Sequence, residues 1–413
     1  MPEGTETAVT SSVAATGAAP ALPLASPSRV TSWLRAAFQP TLLPNHYAAL
    51  HGLRVMAIVL VVQLHATAAL ARFRVIGFST DSLWFGMDLF FFLSGFLIGS
   101  MLLAESSSGQ RVNMLRFYLR RSFRIIPPYL IVLTVLAFGF STPEQRKHLW
   151  LEYFYLTNYM KPTPKVGVMP WAWSLAVEEH FYLLVPLLVL TLRALRSPRA
   201  QLLLLFVLWL SAIPVRFFRY VTDGPWTGER MMDVIYVQSH LRYDILIAGI
   251  FAACVQYYYR DALVRWLRDG RGSYVLGGLS GFFFVLIMVT QVIAIVYPSY
   301  SLLCWGTFTS LMYAPLVLLL VNHEQGWLAR QFSRRPFLYV ATFGYGIYLI
   351  HIPVLWMIVL PLAAPIVYGY LPPPVVTWVS IVAATFGLSL LGGYLLHVAI
   401  EKPALKLRDT FSP

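Results

Sequence analysis

Leu50-His51-Gly52-Leu53-Arg54-Val55-Met56-Ala57-Ile58-Val59-Leu60-Val61-Val62-Gln63-Leu64-His65 is an apolar run opened by an arginine and closed by a histidine. Read as a helix, the step from Arg54 to His65 returns to within about 20° of its starting direction and rises roughly 16 Å. Both groups therefore share a face, one near a membrane surface and the other at depth. A cation below an imidazole suits chemistry that draws one substrate from each side of a bilayer.

The rest of the chain supports a bilayer setting. Of 413 residues, 58% are hydrophobic and only 12% are charged, about half the charged fraction usual in soluble domains. Ten apolar blocks follow one another near 49–71, 84–104, 125–141, 174–192, 201–215, 243–258, 273–297, 302–321, 338–360 and 374–399. Each approaches the length a helix needs to cross lipid. The fifth is short and is expected to end at Pro214, flanked by Arg216 and Arg219. The expected architecture is an all-α polytopic membrane protein of about ten transmembrane helices. Lys and Arg are about twice as frequent on alternate connections starting from the N-terminus as on the others, which predicts that both termini are cytoplasmic. Residues 1–45, rich in Ala, Thr, Ser and Pro, read as a disordered cytoplasmic tail; 46–408 form the membrane-embedded domain, and 409–413 a short C-terminal tail.

The formal charge of +13 raises a nucleic-acid reading. It is set aside because the basic residues sit in short clusters between apolar blocks, as in cytoplasmic loops. Cys254 and Cys304 lie inside apolar blocks without metal-ligand spacing, so neither a disulfide framework nor a metal site is expected.

Ionisable groups within lipid cost about 2.5–3.5 kcal/mol each on insertion scales and mark functional positions. His65 leads, because an imidazole titrating near neutrality is the natural base for a hydroxyl proton; its bland alternative is a neutral ring bonding a neighbouring helix. Arg121 and Arg124, three apart and thus on one face, stand at the expected cytoplasmic mouth. They fit either ordinary topology flanking or a forked grip on phosphates together with Arg54. Trp173-Ser174-Leu175-Ala176-Val177-Glu178-Glu179 opens the fourth block at its expected outer end. An aromatic belt explains Trp171, Trp173 and Tyr182, but not two adjacent carboxylates where lipid begins. Arg242 and Asp244 open the sixth block on the same side and either pair with each other or Glu178, or face an acceptor. Asp88 and His351 are buried polar groups of undetermined use, and Ser94-Gly95 reads as a close-packing pair.

In order and spacing these pieces resemble the acyltransferase-3 family of integral membrane O-acyltransferases from about residue 49 to 408. The matching segments are Gly52-Leu53-Arg54 with His65, Gly86-Met87-Asp88 through Gly95-Phe96, Arg121-Ser122-Phe123-Arg124, Trp173 to Tyr182, Arg242-Tyr243-Asp244, Tyr345 to His351, and Glu401-Lys402-Pro403. His51 and His180 depart from the usual pattern, which has an acidic residue and a glutamine there. The resemblance implies transfer of an acyl group, usually from cytoplasmic acetyl-CoA, to a hydroxyl of a sugar, an envelope glycan or a glycosylated secondary metabolite. It implies His65 as base or acyl carrier, with Glu178 and Glu179 as further catalytic residues near the incoming acceptor on the outer side. Arg54, Arg121 and Arg124 become donor-binding, and Trp173, Ser174, Arg242 and Asp244 acceptor-side. Acyl-CoA is then a co-substrate and no tightly bound cofactor or metal is expected. The competing reading is a proton-coupled transporter or flippase, which also places His, Glu, Asp and Arg within the membrane.

Overall fold

A computed structural model describes residues 47–77, 84–107, 113–160, 167–294, 298–370 and 372–411; the expected N-terminal tail lies outside them. The described residues are almost entirely helical and contain no strand, so the protein is an all-α polytopic membrane protein. Its main helices are α1 (Ala49–Arg72), α2 (Gly86–Ser107), α3 (Met114–Gly139), α4 (Trp173–Ala194), α5 (Pro198–Thr222), α6 (Tyr243–Arg268), α7 (Arg271–Ala294), α8 (Pro298–Asn322), α9 (Arg335–Pro353) and α10 (Pro374–Leu396). They coincide with the ten apolar blocks.

Among the described residues, nine helices are long and apolar enough to cross a membrane. The remaining block, the sixth (α6), falls short in apolarity because Asp244, Gln256 and the run Tyr257-Tyr258-Tyr259 interrupt it. The other helices shield two of those groups: Asp244 and Gln256 are buried, as is nearly every residue from Asp244 to Cys254, whereas Tyr257 and Tyr259 are exposed. Its tightest neighbour is α2. A Cβ at Gly95 would strike the Leu246 carbonyl, and one at Gly249 the Phe92 carbonyl, so the two backbones touch, as small residues permit between membrane helices.

Two boundaries differ from expectation. α3 begins at Met114, capped by Asn113, whose side chain accepts from the Arg116 N–H at 3.0 Å. Arg116, Arg120, Arg121 and Arg124 therefore ride on the helix rather than precede it. α5 runs through Pro214 to Thr222. A membrane helix tolerates a proline whose freed backbone group finds another partner, and Arg216, expected as a flank, is buried instead.

The interior is clamped by charge. Arg216 donates to Asp244 Oδ2 at 2.8 Å, to the Leu303 carbonyl at 2.8 Å and to the Leu241 carbonyl at 2.9 Å. Arg242 pairs with Asp88, which also accepts from the Trp305 indole at 2.5 Å. These contacts tie α2, α5, α6 and α8 together where neither partner meets solvent. Both cysteines are free.

Helices α9 and α10 each widen into a π turn, over Val354–Val359 and His397–Glu401, before continuing as Leu360–Tyr370 and Lys402–Phe411. Such turns accompany functional sites because they re-aim the side chains around them.

Candidate active site

His65 lies on α1 four residues after Val61, whose carbonyl sits 2.9 Å from the imidazole Nδ1. His351, buried near the end of α9, presents its Nε2 to the same Nδ1 at 3.2 Å, with the rings 5.0 Å apart. The other nitrogen of His351 is 2.6 Å from the Tyr348 carbonyl. A carbonyl only accepts, so His351 carries its proton on Nδ1 and offers a lone pair at Nε2. His65 must then hold its proton on Nδ1, shared between the Val61 carbonyl and His351. Its Nε2 is left with a lone pair and no hydrogen bond among the described residues. The ring is half-buried rather than sealed. The arrangement sets the tautomer of His65 through its second nitrogen, so that Nε2 can accept a proton.

Tyr348 extends the chain. Its hydroxyl lies 2.6 Å from Ser174 Oγ and donates to the Trp171 carbonyl at 2.5 Å. Ser174 thereby reaches the imidazole pair through one tyrosine, at the start of α4.

A second cluster forms around Tyr182. Its hydroxyl donates to Glu178 Oε2 at 3.2 Å and receives Arg121 Nη1 at 3.1 Å and Ser94 Oγ at 2.6 Å. The Arg121 guanidinium also lies 4.6 Å above the Tyr182 ring, a favourable cation–π placement. Arg54 and Arg124 stand within electrostatic reach of Arg121, Tyr182 and one another. Neither makes a hydrogen bond or salt bridge among the described residues. Three guanidinium groups thus converge with Glu178 among them; Glu179 is also within electrostatic reach of Arg121, and the acidic neighbour of Arg124 is Glu401, held by His397 Nδ1 at 2.8 Å. All three arginines keep accessible surface inside the bundle. Forked cations with unused donors are what bind phosphate oxygens.

Glu178 therefore faces the arginines, whereas the expectation set it at the outer end with the acceptor. Glu179, turned about 100° away, neighbours Tyr155 and Tyr345 while remaining within electrostatic reach of Arg121. Trp173 packs edge-on against Phe91 and lies 5.1 Å from the Tyr236 ring. Arg242 and Asp244 pair neither with each other nor with Glu178; their partners are Asp88 and Arg216. His180 bonds Ser239 at 2.7 Å.

Sequence reasoning passed over Tyr182, Tyr348, Ser94 and Arg216. The first two carried a signal, standing four residues after Glu178 and three before His351, spacings that align side chains on a helix. Ser94 and Arg216 carried none, because their partners lie 88 and 28 residues away. No group of three or more His, Cys, Asp or Glu among the described residues is arranged to hold a metal ion.

Residues 47–396 match the family model described as an acyltransferase domain. Among curated proteins, the chain is 26% identical over 333 residues to the peptidoglycan O-acetyltransferase OatA of Listeria monocytogenes, covering 75% of this chain and 50% of that protein. It is 26% identical over 328 residues to the O-acetyltransferase OatA of Staphylococcus aureus strain NCTC 8325, covering 76% and 51%. The chain thus spans about half the length of these curated relatives. No solved structure matches it.

Proposed function

The chain belongs to the acyltransferase-3 family of integral membrane acyltransferases, and on that premise we propose that it O-acetylates a hydroxyl of an envelope glycan or glycosylated metabolite, with acetyl-CoA as donor. The observation that carries this reading is the free Nε2 lone pair of His65, left over once Val61 and His351 have taken up Nδ1.

The donor's phosphates rest on Arg54, Arg121 and Arg124, each a delocalised cation able to bind two oxygens at once. The separation of Arg54 from His65, roughly 16 Å along one helix, is bridged by the flexible arm that carries the thioester. The acceptor hydroxyl then stands between His65 Nε2 and the thioester carbonyl. As its oxygen attacks, His65 takes the proton; the new ester C–O bond forms, the C–S bond breaks, and the proton passes to the departing thiolate. His351 keeps His65 in the required tautomer. Glu178 and Tyr182 hold Arg121 in place without cancelling the positive charge of the trio. In the alternative sequence His65 itself takes the acetyl group before the acceptor arrives.

The test uses membranes containing the full chain, labelled acetyl-CoA and a glycan acceptor. Wild-type membranes are expected to deposit label in the glycan, and membranes carrying correctly inserted His65→Ala none. Wild-type rates from His65→Ala end the reading. Label trapped on the wild-type protein without acceptor, and absent from His65→Ala, selects the two-step sequence over direct attack. Glycan movement without any need for acetyl-CoA selects a carrier instead.

A further inference from the structure

A cleft of about 130 Å³ opens between the end of α3 and the π turn after α9. Its walls include Phe140, Ser141, Gln145, Trp171, Pro353 and Trp356. We propose that this cleft receives a neutral sugar ring of the acceptor and thereby aims its hydroxyl at His65, an inference that rests on the acyltransfer reading above.

Four observations support a sugar. Three of its ten lining residues, Phe140, Trp171 and Trp356, are aromatic, and broad rings stack against the C–H face of a pyranose while leaving its hydroxyls free. It carries no charged side chain, so it suits a neutral group. Trp171 is 9% exposed, and its indole N–H is buried without a hydrogen-bond partner. A buried donor left unmet is costly, and a hydroxyl or ring oxygen in the cleft meets it. Ser141 spends its proton on the Ala137 carbonyl at 2.5 Å, which leaves its oxygen free to accept.

Position argues for the same occupant. The cleft lies where α3 has ended at Gly139 and the chain turns through the short helix Pro143–Arg146. That is the end of a candidate membrane span, where headgroups and water take over from lipid tails and a sugar is at home. Its volume holds about four waters at some 30 Å³ each, enough to seat one face of a sugar. Wall and imidazole are also connected. The Trp171 carbonyl takes the Tyr348 hydroxyl, Tyr348 takes His351 Nδ1–H, and His351 meets His65. Pro353, in the wall itself, is two residues beyond His351. A ring seated against Trp171 therefore rests on the group that orients the base. An interfacial aromatic belt accounts for Trp356, but not for a buried, unmet indole N–H.

The experiment pairs binding with kinetics on the detergent-purified full chain, using a β-1,4-linked N-acetylglucosamine tetrasaccharide as probe. Saturation-transfer NMR is expected to detect the sugar on wild type and on His65→Ala, and to lose it on Trp356→Ala. Trp171→Phe, which keeps a ring and removes the N–H, is expected to raise acceptor KM about tenfold, the equivalent of one hydrogen bond, with the KM for acetyl-CoA unchanged. Thermal unfolding checks that both variants fold; Trp356 is 38% exposed, so its removal spares the core. Absence of sugar signal on wild type overturns the proposal, as does an unchanged acceptor KM in both variants. Loss of bound phospholipid alone, by native mass spectrometry, overturns it in favour of a lipid. Sugar binding without label transfer sinks the acyltransfer reading while leaving the cleft in place. Transfer with wild-type acceptor KM in both variants sinks the cleft alone.

Discussion

Nε2 of His351 lies 3.2 Å from Nδ1 of His65, joining two helices whose residues are 286 positions apart in the chain. The relationship is directional. His351 can accept there only because its own proton is committed to the Tyr348 carbonyl, and that commitment decides which nitrogen of His65 is free.

His351 should therefore act on rate rather than on binding. His351→Leu is expected to lower kcat by about tenfold or more, within the range that loss of an orienting partner costs a histidine, with both KM values unchanged. His351→Asn, which retains an accepting oxygen, should recover part of that loss. Steady-state acetyl transfer in purified protein checks both. Equal losses in Leu and Asn variants, or a loss confined to KM, would remove the orienting role.

The arginine trio should act on donor binding. A charge-assisted hydrogen bond is worth about 1.5–3 kcal/mol, so Arg54→Ala and Arg124→Ala are each expected to raise the KM for acetyl-CoA roughly ten- to hundredfold. Added salt should weaken wild-type binding in the same direction. Arg121→Ala should do more, because Tyr182 and Glu178 lose their anchor as well. Titration with CoA against each variant measures this directly; unchanged affinity in all three would reduce the cluster to a topology signal.

Arg216 and Asp244 should matter for folding more than for chemistry. Removing one member of a buried pair leaves the other charge stranded, at about 3–5 kcal/mol. Arg216→Met and Asp244→Asn are each expected to lower the unfolding midpoint substantially in detergent. The double variant should lose clearly less than the sum, as coupled partners do. Additive losses would place the two groups in separate environments.

Glu152 offers a pH signature outside the membrane helices. It is buried and accepts the Val168 and Met169 N–H groups at 3.0 and 2.6 Å. Burial pushes its carboxyl above the ordinary 4.5, and the two donors oppose this only in part. A group whose value is raised by folding contributes stability that is complete below 4.5 and lost as pH climbs through the raised value. Glu152→Gln lacks that titration. Its melting temperature relative to wild type is thus expected to improve as pH rises above about 4.5; a difference independent of pH would contradict the assignment.

Much was legible in the chain itself. Blocks of apolar residues determined ten helices and a membrane setting, because lipid admits only segments that satisfy their own backbone and hide their charges. A histidine deep in the first block, arginines on the third and paired carboxylates on the fourth named chemistry that lipid would otherwise exclude. Apolarity alone did mislead at Pro214, where the helix continues; at α6 the expected helix stands, with Asp244 and Gln256 buried against its neighbours.

Partnership was decided elsewhere. Arg242 could be expected to meet Asp244 or Glu178, yet it meets Asp88; Glu178, assigned to the outer rim, meets Arg121 instead. Periodicity reports which face of its own helix a residue occupies, but not which helix that face confronts. That choice depends on how ten helices pack at once, down to the glycine contact that draws α2 against α6. Only in the packed bundle does His351 reach His65, and only then is one nitrogen of the imidazole left free to accept a proton.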